Sequence, residues 1–417
     1  MIDYPNKLNN LFDKLLNLNI NPIIIGGYVR DFLLKIESKD IDIELYGISS
    51  FSKLEEILQE FGDVNSVGKS FGVCKLKVDD LDLDFSFPRI DSKIEKGHRG
   101  FEVKIDSLLD FKTATSRRDF TINAIGYDIK TKEILDPFNG IKDLKSKILR
   151  AVDIDKFQDD PLRILRAVQF SSRFNLSIDD ELFLTCENMI QNSLLEELPR
   201  ERIFIEIKKL LLKSSNPSHG IVLLKKLGAF SFFTEFSKLN TKEFEETLIA
   251  LDKMSSLKTK DDATNTILML TTLSYKLPLE LCGKFLTQLT NNKNIHNRVL
   301  TLVEYQNFIE FNTFKDYDIY QLATKTIISE FILFSKAIAE PQIEIKDINR
   351  LKIRAEELNI LDTKAQPILQ GKDILNLGLK PSKEFSKILE RAYKAQISGV
   401  FKTKGEACLW LKEELIT

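Results

Sequence analysis

A chain of 417 residues exceeds one ordinary domain, and 43% apolar with 29% charged residues describes a globular protein with sizeable cores. Its net charge of −2 excludes a globally basic nucleic-acid coat but not a local basic stripe. No apolar run approaches the roughly 18 residues of a membrane span, and the start "MIDYPNKLNNLFDKLL" has no signal-peptide core.

Along the first 150 residues both periodicities occur. "NKLNNLFDKLLNLN" has helical spacing, "PIIIGG" is a short buried strand, and "VRDFLLK" restarts a helix. "DIDIELYG" and "LKVDDLDLDFSFPR" alternate at period two, and "GYDIKTKEILDPF" reads as a hairpin. After about Leu149 strand signals nearly vanish: "DPLRILRAVQFSSRF", "RERIFIEIKKLLL" and "EFSKILERAYKAQISG" space apolar residues three and four apart. "NNKNIHN", "EPQIE" and "KAQPILQGKD" are breaks between helical blocks. An α/β head followed by a long helical remainder is expected.

Cys74, Cys186, Cys282 and Cys408 have neither CxxC nor metal-ligand spacing and read as packing thiols in a reducing compartment, so a cytoplasmic location is expected. His98, His219 and His296 lie too far apart in sequence to favour a histidine-rich metal site. Carboxylates are better placed. On a strand, residues i and i+2 face the same way, roughly 6–7 Å apart, so Asp40 and Asp42 share one face of "DIDIELYG" while Ile41 and Ile43 enter the core. A rigid carboxylate pair suits two divalent ions held about 3.5–4 Å apart for phosphoryl transfer, and Mg²⁺ shares its oxygen shell with substrate phosphates. Upstream, Gly26 and Gly27 let backbone approach a triphosphate at a helix start, and Arg30 adds positive charge one turn on. The segment has no GxxxxGK[ST] loop and no calcium-loop spacing.

Glycine pair, Arg-Asp and Asp-x-Asp together resemble the nucleotidyltransferase head of DNA polymerase β and its relatives. "RRDFTINAIGYD" resembles, nearly letter for letter, the second motif of class II tRNA nucleotidyltransferases and bacterial poly(A) polymerases. "DPFNGIKDLKSKILRAV" resembles that family's connector, "DDPLRILRAVQF" its nucleobase-reading helix, and "FSFPRIDSKIEKGHRGFEV" its flexible-loop region. "ELPRERIFIEIKKLL" resembles a helix that braces the neck, and "PILQGKDILNLGLKPSKEFSKIL" a bacterial tail segment. The resemblance is dense over residues 20–212 and thin through the middle of the helical part. It implies a nucleotidyltransferase head with a mixed sheet over 1–149, a helical, base-reading neck over 150–212, a helical body over 213–340, and a helical, tRNA-binding tail over 341–417.

It also implies roles. Asp40 and Asp42 hold two Mg²⁺ ions. Asp84 is a third carboxylate that helps deprotonate the primer hydroxyl, although Asp82 alternates with it. Arg118 and Arg166 contact triphosphate or base, and Asp119 and Asn123 shape the sugar and triphosphate pocket, Asp119 being equally able to cap the helix start. On the reading helix Asp160 and Arg163 lie three apart on one face. Arg donates to ring acceptors of cytosine and adenine, and Asp accepts from their exocyclic amino groups. Uracil and guanine would set a carbonyl against the carboxylate, at a cost of about 1–3 kcal/mol. An i/i+3 salt bridge is the alternative use of that pair. Glu201 and Arg202 brace the neck, and His98 is a solvent-facing loop residue. Asp159 stands where many relatives carry Glu, and Gln169 where many carry Arg, which weakens one phosphate contact.

The expected activity is template-independent addition of C, C and A from CTP and ATP to the acceptor end of tRNA. The same motifs admit a CC-adding or A-adding enzyme, a poly(A) polymerase, or a non-catalytic RNA-binding protein. Lys380, Lys383, Lys387 and Arg391, with Lys394, form a stripe that reads as either RNA-binding or a solvated face balanced by Glu384 and Glu390. Neither a membrane nor a protein partner is expected.

Overall fold

The computed structural model describes residues 2–65, 72–93, 101–311, 315–339, 344–363, 365–376 and 383–414. The chain forms two compact units, Met1–Ser214 with His219–Phe233, and Ser215–Ser218 with Thr234–Thr417.

The first unit begins with α1 (Asn9–Asn17), β1 (Asn21–Ile25), α2 (Gly27–Leu33), β2 (Asp40–Tyr46), α3 (Phe51–Leu58) and β3 (Asp63–Asn65). β4 (Val73–Val78), β5 (Leu81–Ser86), β6 (Arg89–Lys93), β7 (Phe101–Ile105), α4 (Phe111–Thr115), β8 (Gly126–Asp128) and β9 (Ile134–Leu135) follow. Seven strands form one sheet in the order β3-β4-β5-β2-β1-β8-β9. β2 and β5 pair in parallel, whereas β1 is antiparallel to both β2 and β8, so the sheet is mixed. β8 and β9 form the hairpin expected from "GYDIKTKEILDPF". The region likened to a flexible loop carries a separate antiparallel ribbon, β6 with β7. His98 lies outside the described residues.

Alternation explains why these segments are strands. Ile41, Ile43 and Leu45 of β2, Leu83 and Phe85 of β5, and Ile24 of β1 are all 0–1% exposed, each stabilising the head by about 1.5–3 kcal/mol. The opposite faces of β2 and β5 carry the aspartates, so burial of the isoleucines fixes the register of the carboxylates.

Next come α5 (Gly140–Ser146), β10 (Ile148–Leu149), α6 (Ile154–Phe157), α7 (Leu162–Phe174), β11 (Ser177–Ile178), α8 (Asp180–Gln191), α9 (Arg200–Lys213) and α10 (Pro217–Lys226). β10 and β11 make a two-residue parallel pair, a brief strand the helical spacing hides. α7 buries Ile164, Leu165, Ala167 and Val168 and stops at Asn175, which takes the left-handed conformation at φ 52°.

The second unit is helical over its described residues: α11 (Thr241–Ser256), α12 (Asp262–Ser274), α13 (Leu279–Leu289), α14 (Lys293–Glu304), α15 (Phe308–Phe311), α16 (Asp316–Lys325), α17 (Ile328–Ile338), α18 (Glu344–Glu357), α19 (Gly371–Leu375), α20 (Lys383–Ile397) and α21 (Lys404–Glu414). Asn240 and Glu243 form a capping box on α11. α12 is buried from Asn265 to Ser274. Thr266, Thr271, Thr272 and Ser274 survive there because each hydroxyl donates to the carbonyl four residues back, at 2.6–2.8 Å. Near the C-terminus Leu369, Ile374, Ile388, Phe401 and Leu411 share a core, against which Trp410 packs.

Cys74, Cys186 and Cys282 are buried and Cys408 partly so. Burial pushes the Cys186 thiol up to about 12, as suits an inert packing group. Among the described residues no helix is long and apolar enough to cross a membrane.

Candidate active site

The outer faces of β3, β4, β5 and β2 floor a cleft of about 780 Å³. Register sets its charged side chains in two rows. Asp42 stands opposite Asp84 and Asp84 opposite Lys75, while Asp40 stands opposite Asp82 and Asp82 opposite Lys77. Four carboxylates therefore lie between two lysines, all on the face away from the apolar core. Lys75 Nζ donates to both oxygens of Asp84, at 2.9 and 2.7 Å, and the pair raises the Lys75 ammonium above its usual range.

Asp42 opens onto this cleft yet is crowded by protein around its base. Desolvation raises its carboxyl above the usual range; Arg118 opposes that, while Asp84 and Asp40 add to it. Like charges packed at a half-desolvated position are an arrangement that a divalent cation relieves, and the donors are the hard oxygens Mg²⁺ prefers. Among the described residues, however, no three His, Cys, Asp or Glu side chains are grouped to hold a metal. The donor set fits an ion held by one or two carboxylates with substrate oxygens completing its shell, rather than an all-protein cage.

Gly26 has φ 69°, and a Cβ there would lie 2.6 Å from Arg118 Nη1. Glycine is needed on both counts, and the space it leaves is filled by the arginine. Arg118 Nη1 donates to the Asn123 carbonyl at 3.1 Å, and Arg118 has no ion-pair partner among the described residues. Desolvation, then its neighbour Arg117, lowers its guanidinium below the usual range, although Glu44, Asp42 and Asp119 pull the other way. A crowded, unpaired cation next to Asp42 is suited to an anionic ligand. At Gly27, which opens α2, an added Cβ would make only ordinary contact with Arg30 Nη2 at 3.6 Å.

Arg30 does not open on this surface. It is 4% exposed, donates through Nε and Nη2 to Asp31 Oδ1 at 2.8 and 2.6 Å, and reaches Asn123 Oδ1 through Nη1 at 2.5 Å. Its guanidinium lies 5.1 Å from the Phe170 ring centroid and 4.5 Å from that of Phe174. Arg30 thus ties α2 to the "RRDFTINAIGYD" segment and to α7. Asn123 passes the chain on, donating to Asp119 Oδ1 at 3.0 Å, and Arg166 closes it with 2.7 and 2.6 Å contacts to Asp119 Oδ2. Asp119 also accepts from the Phe120 N–H at 2.9 Å, but it does not cap the short helix at Thr121–Asn123, whose N-cap is Phe120. Burial pushes its carboxyl up, but Arg166 and Asn123 outweigh burial and hold it below the usual range.

Asp160 lies just before α7 and Arg163 in its first turn, and the two take separate partners. Asp160 Oδ1 accepts from the Leu162 N–H at 3.1 Å, and its Oδ2 pairs with Arg202 at 3.0 Å. Arg163 donates to the carbonyls of Lys156 and Arg117, both at 2.8 Å. Neither side chain is exhausted: a carboxylate has about four acceptor sites and a guanidinium five donors. Gln169 is 2% exposed and buried within its unit. In the tail, Arg391 pairs with Glu414 at 2.6 Å and Lys394 with Glu390 at 2.8 Å, so part of the stripe is neutralised. Lys383 and Lys387 lie on α20, and Lys380 lies outside the described residues.

Two residues absent from the sequence reading belong here. Glu44 is 0% exposed and accepts from Arg117 Nη2 at 2.8 Å and from the Tyr46 hydroxyl at 2.9 Å. Period two marks it, since Asp40, Asp42 and Glu44 form one series along β2. Arg117, first of the "RRD" triplet, carries the carbonyl that orients Arg163, a main-chain role with no signal in residue type.

A mixed sheet bearing carboxylates on two adjacent parallel strands, followed by helices, defines the class of nucleotidyltransferase heads. Residues 23–150 match the family model of the poly A polymerase head domain. Residues 175–239 match a model described as "probable RNA and SrmB-binding site of polymerase A", and 259–410 match tRNA nucleotidyltransferase domain 2. The chain belongs to the family of poly(A) polymerases and tRNA nucleotidyltransferases. It is 34% identical over 220 residues to the multifunctional CCA protein of Pseudoalteromonas atlantica, a match spanning about half of each, 52% of this chain and 52% of that protein. To the CCA-adding enzyme of Lactobacillus delbrueckii subsp. bulgaricus it is 26% identical across 93% of this chain and 92% of that one. Its fold is that of a solved CCA-adding enzyme in an apo form, with TM-score 0.69 and 22% identity over 100% of this chain and 96% of that one. A Thermotoga maritima CCA-adding enzyme complexed with tRNA gives TM-score 0.62 at 21% identity, over 99% and 97%.

Proposed function

We propose that this protein adds C, C and A to the 3′ end of tRNA without a template, using CTP and ATP and releasing pyrophosphate in the cytoplasm. The observation that carries the reading is the juxtaposition of Asp40 and Asp42 on β2 with the unpaired guanidinium of Arg118. Relatives that are CCA-adding enzymes support it, as do chains of this fold solved with CTP and with ATP. Asp40 and Asp42 would hold Mg²⁺, which when bound supplies Lewis-acid stabilisation of the attacking and leaving oxygens.

The protein's own share is to position and neutralise. Arg118 takes triphosphate charge, and the Arg30–Asn123–Asp119–Arg166 chain holds the pocket wall rigid so that alignment is retained through the reaction. The primer 3′-hydroxyl attacks the α-phosphorus in line and pyrophosphate leaves. Arg163, its plane set by two carbonyls, donates to the base's ring acceptors. Asp160 accepts from the exocyclic amino group that cytosine and adenine share. Lysines and arginines of the tail contact the tRNA backbone.

The test uses one tRNA ending before CCA, after the first C, or after both, incubated with Mg²⁺ and CTP, ATP or both. Extension of the first two by CTP and of the third by ATP is the expected result. Growth of only one set identifies a CC-adding or A-adding enzyme, long A tails a poly(A) polymerase, and no extension a non-catalytic RNA-binding protein.

A further inference from the structure

The cleft floor contains a cation of its own. β4 places Lys75 beside Asp84, and the ammonium bridges both carboxylate oxygens at 2.9 and 2.7 Å. Asp84 is in turn the register neighbour of Asp42. A carboxylate that accepts from one ammonium through both oxygens has its charge largely offset and one acceptor site on each oxygen engaged on the β4 side. This accounts for the absence, among the described residues, of three carboxylates grouped for a metal, although Asp40, Asp42 and Asp84 all line one cleft.

Resting on the metal-dependent transferase reading above, we infer that Lys75 is a built-in counter-ion that withholds Asp84 from the metal shell, leaving Asp40 and Asp42 as its protein ligands. Lys75 is a positioning residue: it sets how many protein carboxylates the ion meets and so how tightly it is held before substrate phosphates arrive. The arrangement favours an ion that enters with its nucleotide. A third carboxylate would hold the ion more tightly on the empty protein, whereas two leave coordination sites that water occupies until phosphate oxygens replace it. Its side chain is 57% exposed, so substitution leaves the core intact.

Mn²⁺ binding to the nucleotide-free full chain, read from the signal of free Mn²⁺ by electron paramagnetic resonance, tests this. Lys75→Met should tighten binding about tenfold or more, because one positive charge is removed and one carboxylate released. Lys75→Gln repeats the change with a polar side chain. The double variant Lys75→Met/Asp84→Asn, which restores the site's net charge, should return to within about twofold of the unsubstituted protein. A double variant that binds tenfold or more weakly would show that Asp84 already ligates the ion and overturn the inference, as would unchanged binding in Lys75→Met. Binding that Asp42→Asn leaves untouched would instead remove the two-aspartate metal reading itself.

Discussion

Arg117 Nη2 lies 2.8 Å from Glu44 Oε1 while the Arg117 carbonyl accepts from Arg163 Nη2, also at 2.8 Å. One residue therefore joins β2 to α7, with Glu44 only two positions along β2 from Asp42. Removing the carboxylate leaves Arg117 charged and half-buried without its partner. Glu44→Ala should cost about 3 kcal/mol of stability. Glu44→Gln, which keeps an acceptor and the shape, should cost less than half of that. Urea denaturation of the two variants measures the difference. Activity of folded Glu44→Gln should fall through base selection, because Arg163 loses the fixed position of its carbonyl anchor.

Gly26 yields a sharper structural expectation. A side chain there meets two penalties at once: a φ of 69° that L-residues rarely adopt, and a guanidinium nitrogen 2.6 Å from the new Cβ. The conformational cost alone is about 1–3 kcal/mol. Relief of the clash requires Arg118 to move, which also breaks its bond to the Asn123 carbonyl. Gly26→Ala should therefore lower stability by at least that amount and raise KM for CTP and ATP together. Gly27→Ala, whose Cβ makes only ordinary contact, should do neither. Paired steady-state kinetics on the two variants check the contrast.

Much of this was legible in the sequence. The isoleucines at 41 and 43 forced Asp40 and Asp42 onto the open face, and period-two patterning needs nothing beyond local sequence. The same rule extends to Glu44, whose burial depends on Arg117, 73 residues away, and no periodicity reports such a partner. Arg30 illustrates the opposite limit. Its position one turn after the glycines reads as a phosphate contact, yet Phe170 and Phe174 of α7 enclose it. Three-residue spacing suggests that Asp160 and Arg163 share a helix face, but Asp160 falls just outside α7, and tertiary contacts direct the two to Arg202 and to two carbonyls. Lys75 gave no signal, because its meaning arises from the β4–β5 register.

Acid should act through Asp119. Its carboxyl is held below the usual range by Arg166 and Asn123 against the opposing effect of burial. A depressed folded-state value means that the contribution to stability is fully present above the unfolded aspartate value of about 3.9 and is lost as pH falls through the lower folded value. Stability should accordingly decline below roughly pH 4. Asp119→Asn removes the titrating charge, so it should be weaker than the unsubstituted protein by about 2 kcal/mol at neutral pH, a figure discounted because Arg166 is partly exposed. Its acid slope should be shallower. Urea midpoints from pH 7 to pH 3 for both proteins give the two curves, and parallel curves would assign the acid sensitivity to other carboxylates.

Under the proposed function, base selection would rest on an arginine whose plane is fixed before any nucleotide arrives. Arg163 spends one donor on each of two carbonyls, at 2.8 Å, and keeps the rest for a ring acceptor. Alanine removes the donors and leaves Asp160 to discriminate alone. Discrimination of CTP over UTP, read as the ratio of kcat/KM on a tRNA ending before CCA, should fall by roughly 10- to 100-fold, the equivalent of about 1–3 kcal/mol. Lysine should not rescue it, because one ammonium cannot hold two carbonyls in a plane and still reach a base with a fork. Arg202→Ala, which frees Asp160 Oδ2 without touching Arg163, should leave the ratio closer to that of the unsubstituted protein while loosening the neck. If Arg163→Ala instead lowered the rates for CTP and UTP in equal proportion, Arg163 would serve to hold Arg117 and α7 in place, and selection would have to reside in Asp160.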